Sequence, residues 1–292
     1  MKNFKLSFAF FAMLVASCGS ECVTEETMVP VSLHVNDFLV SQEDFPVTRA
    51  NPQTPASYSA MKALTLAFYK DDGMEQYKTT QLREDASTYT TFGDFSLSLP
   101  MGSYTMVVAG YGLGPDDEFT LTSPTQAAFS AGCVRETFAT TQAVNITSLS
   151  AVNLSATLDR VVTKLNVVST DPKPANANKV RMTFSAGGMS FSPTTGLATV
   201  NTGAVSTVSI SSATGSTSSS NGYVFLATDE QTMDVTVEVL DADGNTLFSK
   251  VATNVPFKRN RVTKLTGTVY SAGATSSFLL NTDWLDEYSV DF

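Results

Sequence analysis

Apolar residues recur at every second position through almost the whole chain, with Ser, Thr, Gly and Asn filling the intervals. A period of two puts successive side chains on opposite faces of a pleated strand, so the pattern predicts strands and turns throughout. Leu64, Leu66 and Phe68 alternate with Thr65 and Ala67, and Phe95, Leu97 and Leu99 alternate with Ser96 and Ser98. Val235, Val237 and Val239 alternate with Thr236, Glu238 and Leu240, and Asp243-Gly244 then supplies a tight turn into Thr246-Leu247-Phe248, which reads as a hairpin. No stretch carries helical spacing with caps, so the expected fold class is all-β, with any helix short and peripheral.

Thr157-Leu158-Asp159-Arg160 precedes a fresh strand expected over residues 161–168, which Asp171-Pro172-Lys173-Pro174 then breaks. A boundary near residue 157 follows. Each half would hold about seven strands, enough to close a two-sheet sandwich with one buried and one wet face per sheet. Residues 211–222, rich in Ser and nearly free of apolar side chains, are expected to form an exposed loop.

The two ends depart from this pattern. Lys2 and Lys5 precede a short apolar run from Leu6 to Val15, and Val15-Ala16-Ser17-Cys18 closes it. The run is too short for a permanent span and reads as a cleaved export signal, residues 1–17. Small Ala16 and Ser17 admit a peptidase, and Cys18 becomes an N-terminus whose thiol accepts a lipid. An ordinary secretory signal that happens to hold a cysteine is the alternative.

Val29, Val31, Leu33 and Val35 next alternate with Pro30, Ser32, His34 and Asn36, and the phase switches at Asp37-Phe38, as at a bulge or strand end. Residues 42–55 are polar and proline-rich, an expected protease-accessible loop around Arg49-Ala50. A cut after Arg49 would free the preceding strand from every covalent link to the body, leaving an apolar groove between two unpaired strand edges. At the C-terminus Trp284, Tyr288, Val290 and Phe292 share one face. Two readings stay open there: the last strand of its own sandwich, or a donor strand for a neighbouring molecule.

Composition narrows the function. The formal charge is −10, from 18 basic and 28 acidic residues, which argues against nucleic acid as a partner and against direct adsorption to anionic lipid. Acylation of Cys18 would leave Cys22 and Cys133, two thiols free to pair in an oxidising compartment, although nothing in their spacing brings them together. His34 is the single histidine, and no His, Cys and carboxylate cluster has metal-ligand spacing, so no metal, cofactor or catalytic residue is expected. Gly110-Tyr111-Gly112-Leu113-Gly114 lacks a following helix to hold a phosphate and reads as a strand-to-loop turn. Asp116, Asp117 and Glu118 read as solvated loop charges rather than a glycosidase pair. Asp241-Ala242-Asp243-Gly244-Asn245 lacks the closing glutamate of a calcium loop. Lys258-Arg259-Asn260-Arg261 reads as a solvated strand start.

Cys18, Val47-Thr48-Arg49-Ala50, Leu99-Pro100-Met101-Gly102-Ser103-Tyr104, Arg160-Val161-Val162-Thr163-Lys164-Leu165 and Arg259-Asn260-Arg261-Val262-Thr263-Lys264-Leu265-Thr266-Gly267 together resemble recurring segments of the fimbrillin family, the lipoprotein pilins of Bacteroidota whose fibres are type V pili. The resemblance implies two tandem transthyretin-like β-sandwich domains, residues 50–157 and 158–292, the first completed by the 29–40 strand before maturation. It implies an outer-membrane lipoprotein precursor acylated at Cys18 with diacylglycerol and palmitate. An arginine-specific protease would remove propeptide 18–49 by cutting between Arg49 and Ala50, and a C-terminal strand from residues 276–292 of one subunit would enter the vacated groove of the next, head to tail, in an adhesive cell-surface fimbrium. Its partners would be other fimbrial subunits, with no nucleic acid. Tip and anchor subunits of such fibres share the fold. A surface glycan-binding lipoprotein is the rival from another class, and it would need an exposed aromatic platform around Trp284.

Overall fold

The structure, a computed structural model, describes residues 27–36, 38–39, 52–271 and 279–281. In chain order the strands are β1 (Met28–Val35), β2 (Phe38–Leu39), β3 (Pro52–Gln53), β4 (Ala63–Lys70), β5 (Glu75–Leu82), β6 (Asp94–Pro100) and β7 (Gly102–Tyr111). Then come β8 (Glu118–Ser123), β9 (Gln126–Ala131), β10 (Thr137–Ile146), β11 (Val152–Ala156), β12 (Asp159–Arg160), β13 (Thr163–Ser169) and β14 (Lys179–Phe184). The rest are β15 (Ser190–Phe191), β16 (Ala204–Ser209), β17 (Ser219–Val224), β18 (Glu230–Leu240), β19 (Thr246–Lys258), β20 (Val262–Gly267) and β21 (Leu279–Asn281). The all-β expectation is met. Among the described residues the one helical element is a 3-10 turn, Ala86–Thr88, and no helix is long and apolar enough to cross a membrane.

Two pairs of sheets enclose two cores. The sheet β11-β1-β6 faces the sheet β12-β10-β7-β4-β5 across Val31, Leu33, Leu66, Phe68, Met106 and Phe138. The sheet β17-β13-β20-β21 faces β16-β14-β18-β19 across Leu165, Met182, Val235, Val237, Phe257 and Leu265. Each buries its core because alternation delivers apolar side chains to one face of every strand.

The two sandwiches repeat one topology. In the first, β1 lies parallel to β11 and antiparallel to β6, while β5, β4, β7 and β10 run as antiparallel neighbours. In the second, β13 lies parallel to β20 and antiparallel to β17, while β16, β14, β18 and β19 run as antiparallel neighbours. Strands β1, β4, β5, β6, β7, β10 and β11 thus correspond in order to β13, β14, β16, β17, β18, β19 and β20. Between β18 and β19 the chain turns tightly at Asp241–Asn245, where Gly244 adopts φ +87° and Asp241 accepts from the Asn245 amide, the expected hairpin. Between β7 and β10 it instead inserts the hairpin β8–β9.

That inserted hairpin overturns the expectation of one wet face per sheet. With β15 it forms a three-stranded sheet. Leu121, Ala127 and Phe129 from it, and Val161, Val162, Phe191 and Phe225 from the second half, form a core cluster with Ala63, Ala67, Tyr69, Val107, Ala109 and Tyr111 of β4 and β7. Strand β4 is therefore buried on both faces, and a third core joins the halves. Small Ala63, Ala67 and Ala109 allow the covering layer to approach.

Two local readings also change. The strand expected from Val161 starts at Thr163, because Asp159 and Arg160 still pair with Ala139 and Phe138 of the first sandwich and the two valines plug the shared core. Residues 219–222 form most of β17 rather than a loop, paired to β13. Ser219 and Asn221 are exposed, while Ser220 and Gly222 face the core, where space is short at Gly222: a Cβ there would lie 2.9 Å from the Met182 sulfur.

Candidate assembly site

Strand β1 occupies a slot inside the first sandwich. It pairs with β11 from Val31↔Val152 to Val35↔Ala156, and with β6 from Met28↔Pro100 to His34↔Asp94, so both edges are consumed. Pro30, which lacks a donor, stands just before pairing to β11 begins. Val29, Val31, Leu33 and Val35 are at most 2% exposed and fill the floor of the slot. The opposite face is polar and wet: the Ser32 hydroxyl donates to Asn153 Oδ1 at 2.6 Å, and His34 Nδ1 meets Asp94 Oδ1. At the strand's end the Val35 amide donates to Gly93 O and the Asn36 amide to Ala156 O, continuing both ladders by one bond.

The chain leaves β1 into β2, which pairs antiparallel with β3 through Phe38↔Gln53 and Leu39↔Pro52. Arg49 and Ala50 belong to the connection between those two short strands and lie outside the described residues, as do Cys18, Cys22, Trp284, Tyr288, Val290 and Phe292. Of the expected donor segment only β21 is described; it adds antiparallel to the outer edge of β20, with Leu265↔Leu280 in register.

Beyond β3, Arg83 fastens the chain. Its guanidinium donates to the carbonyls of Met61 (2.6 Å), Ala56 (3.0 Å), Tyr58 (3.0 Å) and Pro55, and lies 4.4 Å from the centre of the Phe92 ring. Five fixed donors in one plane suit a loop of converging carbonyls, and burial lowers the basicity of the group somewhat. Nothing in the local pattern around Arg83 signals this clamp.

A second polar cluster holds the junction of the halves. Arg160 pairs with Glu136 at 2.7 Å and donates to Asn260 Oδ1 at 2.7 Å, while the Tyr58 hydroxyl donates to Glu136 at 2.6 Å. Burial, with the Glu136 hydrogen bond and charge, drives the Tyr58 phenol far above its usual range. Asn260, at φ +56°, sends its amide to Val162 O, and Arg259 pairs with Asp229, so the basic cluster is a fastened turn rather than a free strand start. The ends of the two similar segments meet where β13 runs parallel to β20, with Lys164 beside Val262 and Leu165 beside Thr263.

Asp117 also differs from expectation. Its side chain is 1% exposed and accepts from Arg135 and from the amides of Gly114 and Cys133. Burial alone would raise its carboxyl, but those hydrogen bonds and the Arg135 charge outweigh it and hold the group below the ordinary range. Neighbouring Asp116 and Glu118 are exposed, as expected. Cys133 is buried, its sulfur accepting from the Thr207 amide at 3.2 Å across the junction, and Cys22 lies outside the described residues. Among the described residues no three His, Cys, Asp or Glu side chains are grouped to hold a metal ion.

What this architecture defines is an all-β protein of two sandwiches whose opening strand fills a slot between two others. Two candidate adhesins of Bacteroides ovatus have the same fold. One superposes with TM-score 0.51 at 10% identity, over 88% of this chain and 97% of that one. The other has TM-score 0.50 at 10% identity, over 82% and 88%. The fimbrial anchor protein Mfa2 of Porphyromonas gingivalis aligns at 16% identity over 89% of this chain and all of its own length, with TM-score 0.45. No curated protein sequence matches. The chain belongs to the family of unknown function DUF6562, whose profile matches residues 119–291.

Proposed function

We propose that the chain is a structural subunit of a cell-surface fimbrium rather than an enzyme, exported on a lipid at Cys18 and matured by an arginine-specific protease that cuts between Arg49 and Ala50. The observation that carries this reading is the position of β1, a strand central in its sheet, with Val29, Val31, Leu33 and Val35 buried, joined to the body only through the connection that contains Arg49. Cutting there would turn a central strand of the first sandwich, with one face fully buried, into a separable ligand. Its loss exposes the apolar floor and the edges of β6 and β11, which a strand of the same alternation can fill. The C-terminal face of Trp284, Tyr288, Val290 and Phe292 supplies that alternation, so one subunit closes the next and the lipid serves as a transport handle left behind with residues 18–49.

The test is to cut the purified lipoprotein form with a trypsin-like protease, sequence the new N-terminus and follow polymer by electrophoresis without boiling. A new terminus at Ala50 together with a heat-sensitive ladder is expected. A chain that is cut at Arg49 and remains monomeric at high concentration overturns the stalk reading. Surface protein that retains residues 18–49 points to an anchor instead.

A further inference from the structure

An acid holds the chain where it leaves the second sandwich. Strand β13 runs into Asp171-Pro172-Lys173-Pro174, a bend that two prolines stiffen by fixing φ. The bend is pinned to the 215–216 turn in both directions: the Lys173 amide donates to Ser216 O at 2.9 Å, and the Gly215 amide donates to Lys173 O at 2.8 Å. From this support the Asp171 carboxylate reaches the chain beyond β20. Its Oδ1 accepts from the Val269 amide and its Oδ2 from the Tyr270 amide, both at 2.8 Å. Hydrogen bonds to an ionised acceptor are stronger than neutral ones. The Val269 and Tyr270 side chains enter the second core, 2% and 6% exposed, and the Tyr270 hydroxyl meets Ser218 Oγ. The Ser218 amide in turn donates to Ser169 Oγ at 2.7 Å.

The internal repeat shows what is particular to this exit. In the first sandwich the Asn36 amide donates to Ala156 O, as the Thr170 amide donates to Gly267 O in the second, and Leu158 and Val269, each two residues further on, are buried in their respective cores. Past Leu158 the chain is held by strand pairing, because Asp159 and Arg160 join β10. Past Gly267 no described strand pairs with residues 268–270, and Asp171 takes the two amides instead. Ser271 is then exposed, and residues 271–277 are all Ser, Ala, Gly or Thr, none large enough to anchor in a core.

We propose that Asp171 is the positioning residue of the C-terminal segment: with Tyr270 it fixes where the folded body ends, and in a fibre it takes the pull on a segment held by another copy. This inference rests on the fimbrial reading, in which that segment fills the slot of the next subunit. Strand β21 holds the outer edge of β20 through three residue pairs, so tension on the segment peels β21 first and arrives next at Tyr270. With β21 gone, β20 is an edge strand paired to β13 alone, and without the carboxylate the pull would pass into the body. The two ends of the cut chain are then fastened by opposite charges. Arg83 holds residues 55–61, just past the cut, by their carbonyls, and Asp171 holds residues 269–270 by their amides.

The test compares the unaltered chain with Asp171→Asn, which keeps the size of the side chain and removes its charge. In uncut protein, hydrogen exchange at the Val269 and Tyr270 amides should quicken by about ten- to a hundredfold, the worth of a bond to a charged acceptor, while the amides of β14 keep their rates. In cut protein the Asp171→Asn polymer should fall apart at a lower temperature than the unaltered one, followed by electrophoresis without boiling. Met182→Ala, a core truncation on β14, controls for lost stability alone: its monomer should be destabilised at least as much, yet its polymer should outlast that of Asp171→Asn. Tyr270→Phe, which removes only the hydroxyl bond to Ser218, should weaken the polymer in the same direction by less. Unchanged exchange at both amides, or an Asp171→Asn polymer as durable as that of Met182→Ala, overturns the positioning role while the fimbrial reading stands. If the unaltered cut chain forms no polymer at all, the fimbrial reading fails and takes this inference with it.

Discussion

Leu33→Ala is the sharpest probe of the slot. Leu33 is 2% exposed and sits opposite Phe95 on β6 and Leu154 on β11, so truncation removes buried contacts in a place braced on both sides. Such a change costs about 2–5 kcal/mol, since transfer free energy is lost and a cavity remains. In uncut protein, with a urea slope of about 3 kcal/mol per M, the midpoint should fall by roughly 1 M. In cut protein the same loss appears as weaker retention of the N-terminal piece. At about 1.4 kcal/mol per factor of ten, that is roughly 30-fold to several-thousand-fold faster exchange or weaker binding. Ser32→Ala is the control, because Ser32 faces the wet side and only its bond to Asn153 is lost; it should stay within about 0.5 kcal/mol. Urea unfolding of both forms, and a labelled-peptide exchange assay on the cut form, measure these effects. Equal shifts for the two variants, or no effect of Leu33→Ala on either readout, would refute the claim that β1 is held by its buried face.

Asp117→Asn should destabilise the chain by about 3 kcal/mol by leaving the half-buried Arg135 without its counter-charge, measured by chemical denaturation. Because the folded Asp117 carboxyl is held below its unfolded value, its contribution is complete above about pH 5 and is lost as pH falls through the folded value, so the variant should show a flatter acid limb of stability against pH. Arg83→Gln should loosen residues 55–61 and make Lys62 a new tryptic site in the folded protein, detected by mass spectrometry of brief digests; unchanged cleavage would remove the clamp from the account. Cys133 should react with thiol reagents only after the junction opens, at a rate that follows denaturant rather than reagent concentration.

Much of the fold was written in the alternation. Leu64, Leu66 and Phe68, and Val235, Val237 and Val239, are buried as their period demands, and Asp243-Gly244 turns where a two-residue turn dipeptide should. What the period could not carry is which sheets gain a second cover. Thr65 and Ala67 occupy the polar phase of β4 yet are buried, because a hairpin inserted sixty residues downstream folds over them. Small residues misled in the other direction at Ser219–Gly222, a strand whose inward positions are Ser220 and Gly222, with Ser219 and Asn221 facing solvent. Val29 to Val35 was legible as a one-faced strand, but its flanking by β6 and β11 depends on partners sixty and more than a hundred positions away. Arg83 and Asp117 leave no local trace either, since the ligands of Arg83 are backbone carbonyls, which every residue supplies, and Asp117 binds two backbone amides and Arg135, eighteen positions away.

The duplicated topology gives the molecule two opening strands, β1 and β13, of which the proposed cut at Arg49 would free only the first. The proposed cut at Arg49 would sever β1 from the body, whereas β13 follows Val161 and Val162, which are 3% and 0% exposed in the junction. A protease that reaches the first connection finds no purchase on the second. On the proposed maturation each chain would carry a single vacancy, in its first sandwich, and an assembly that grows by filling vacancies would have one direction and no branch points. Directionality would then be a property of gene order within a repeat, set when two equivalent sandwiches were joined so that only the leading one kept a removable strand.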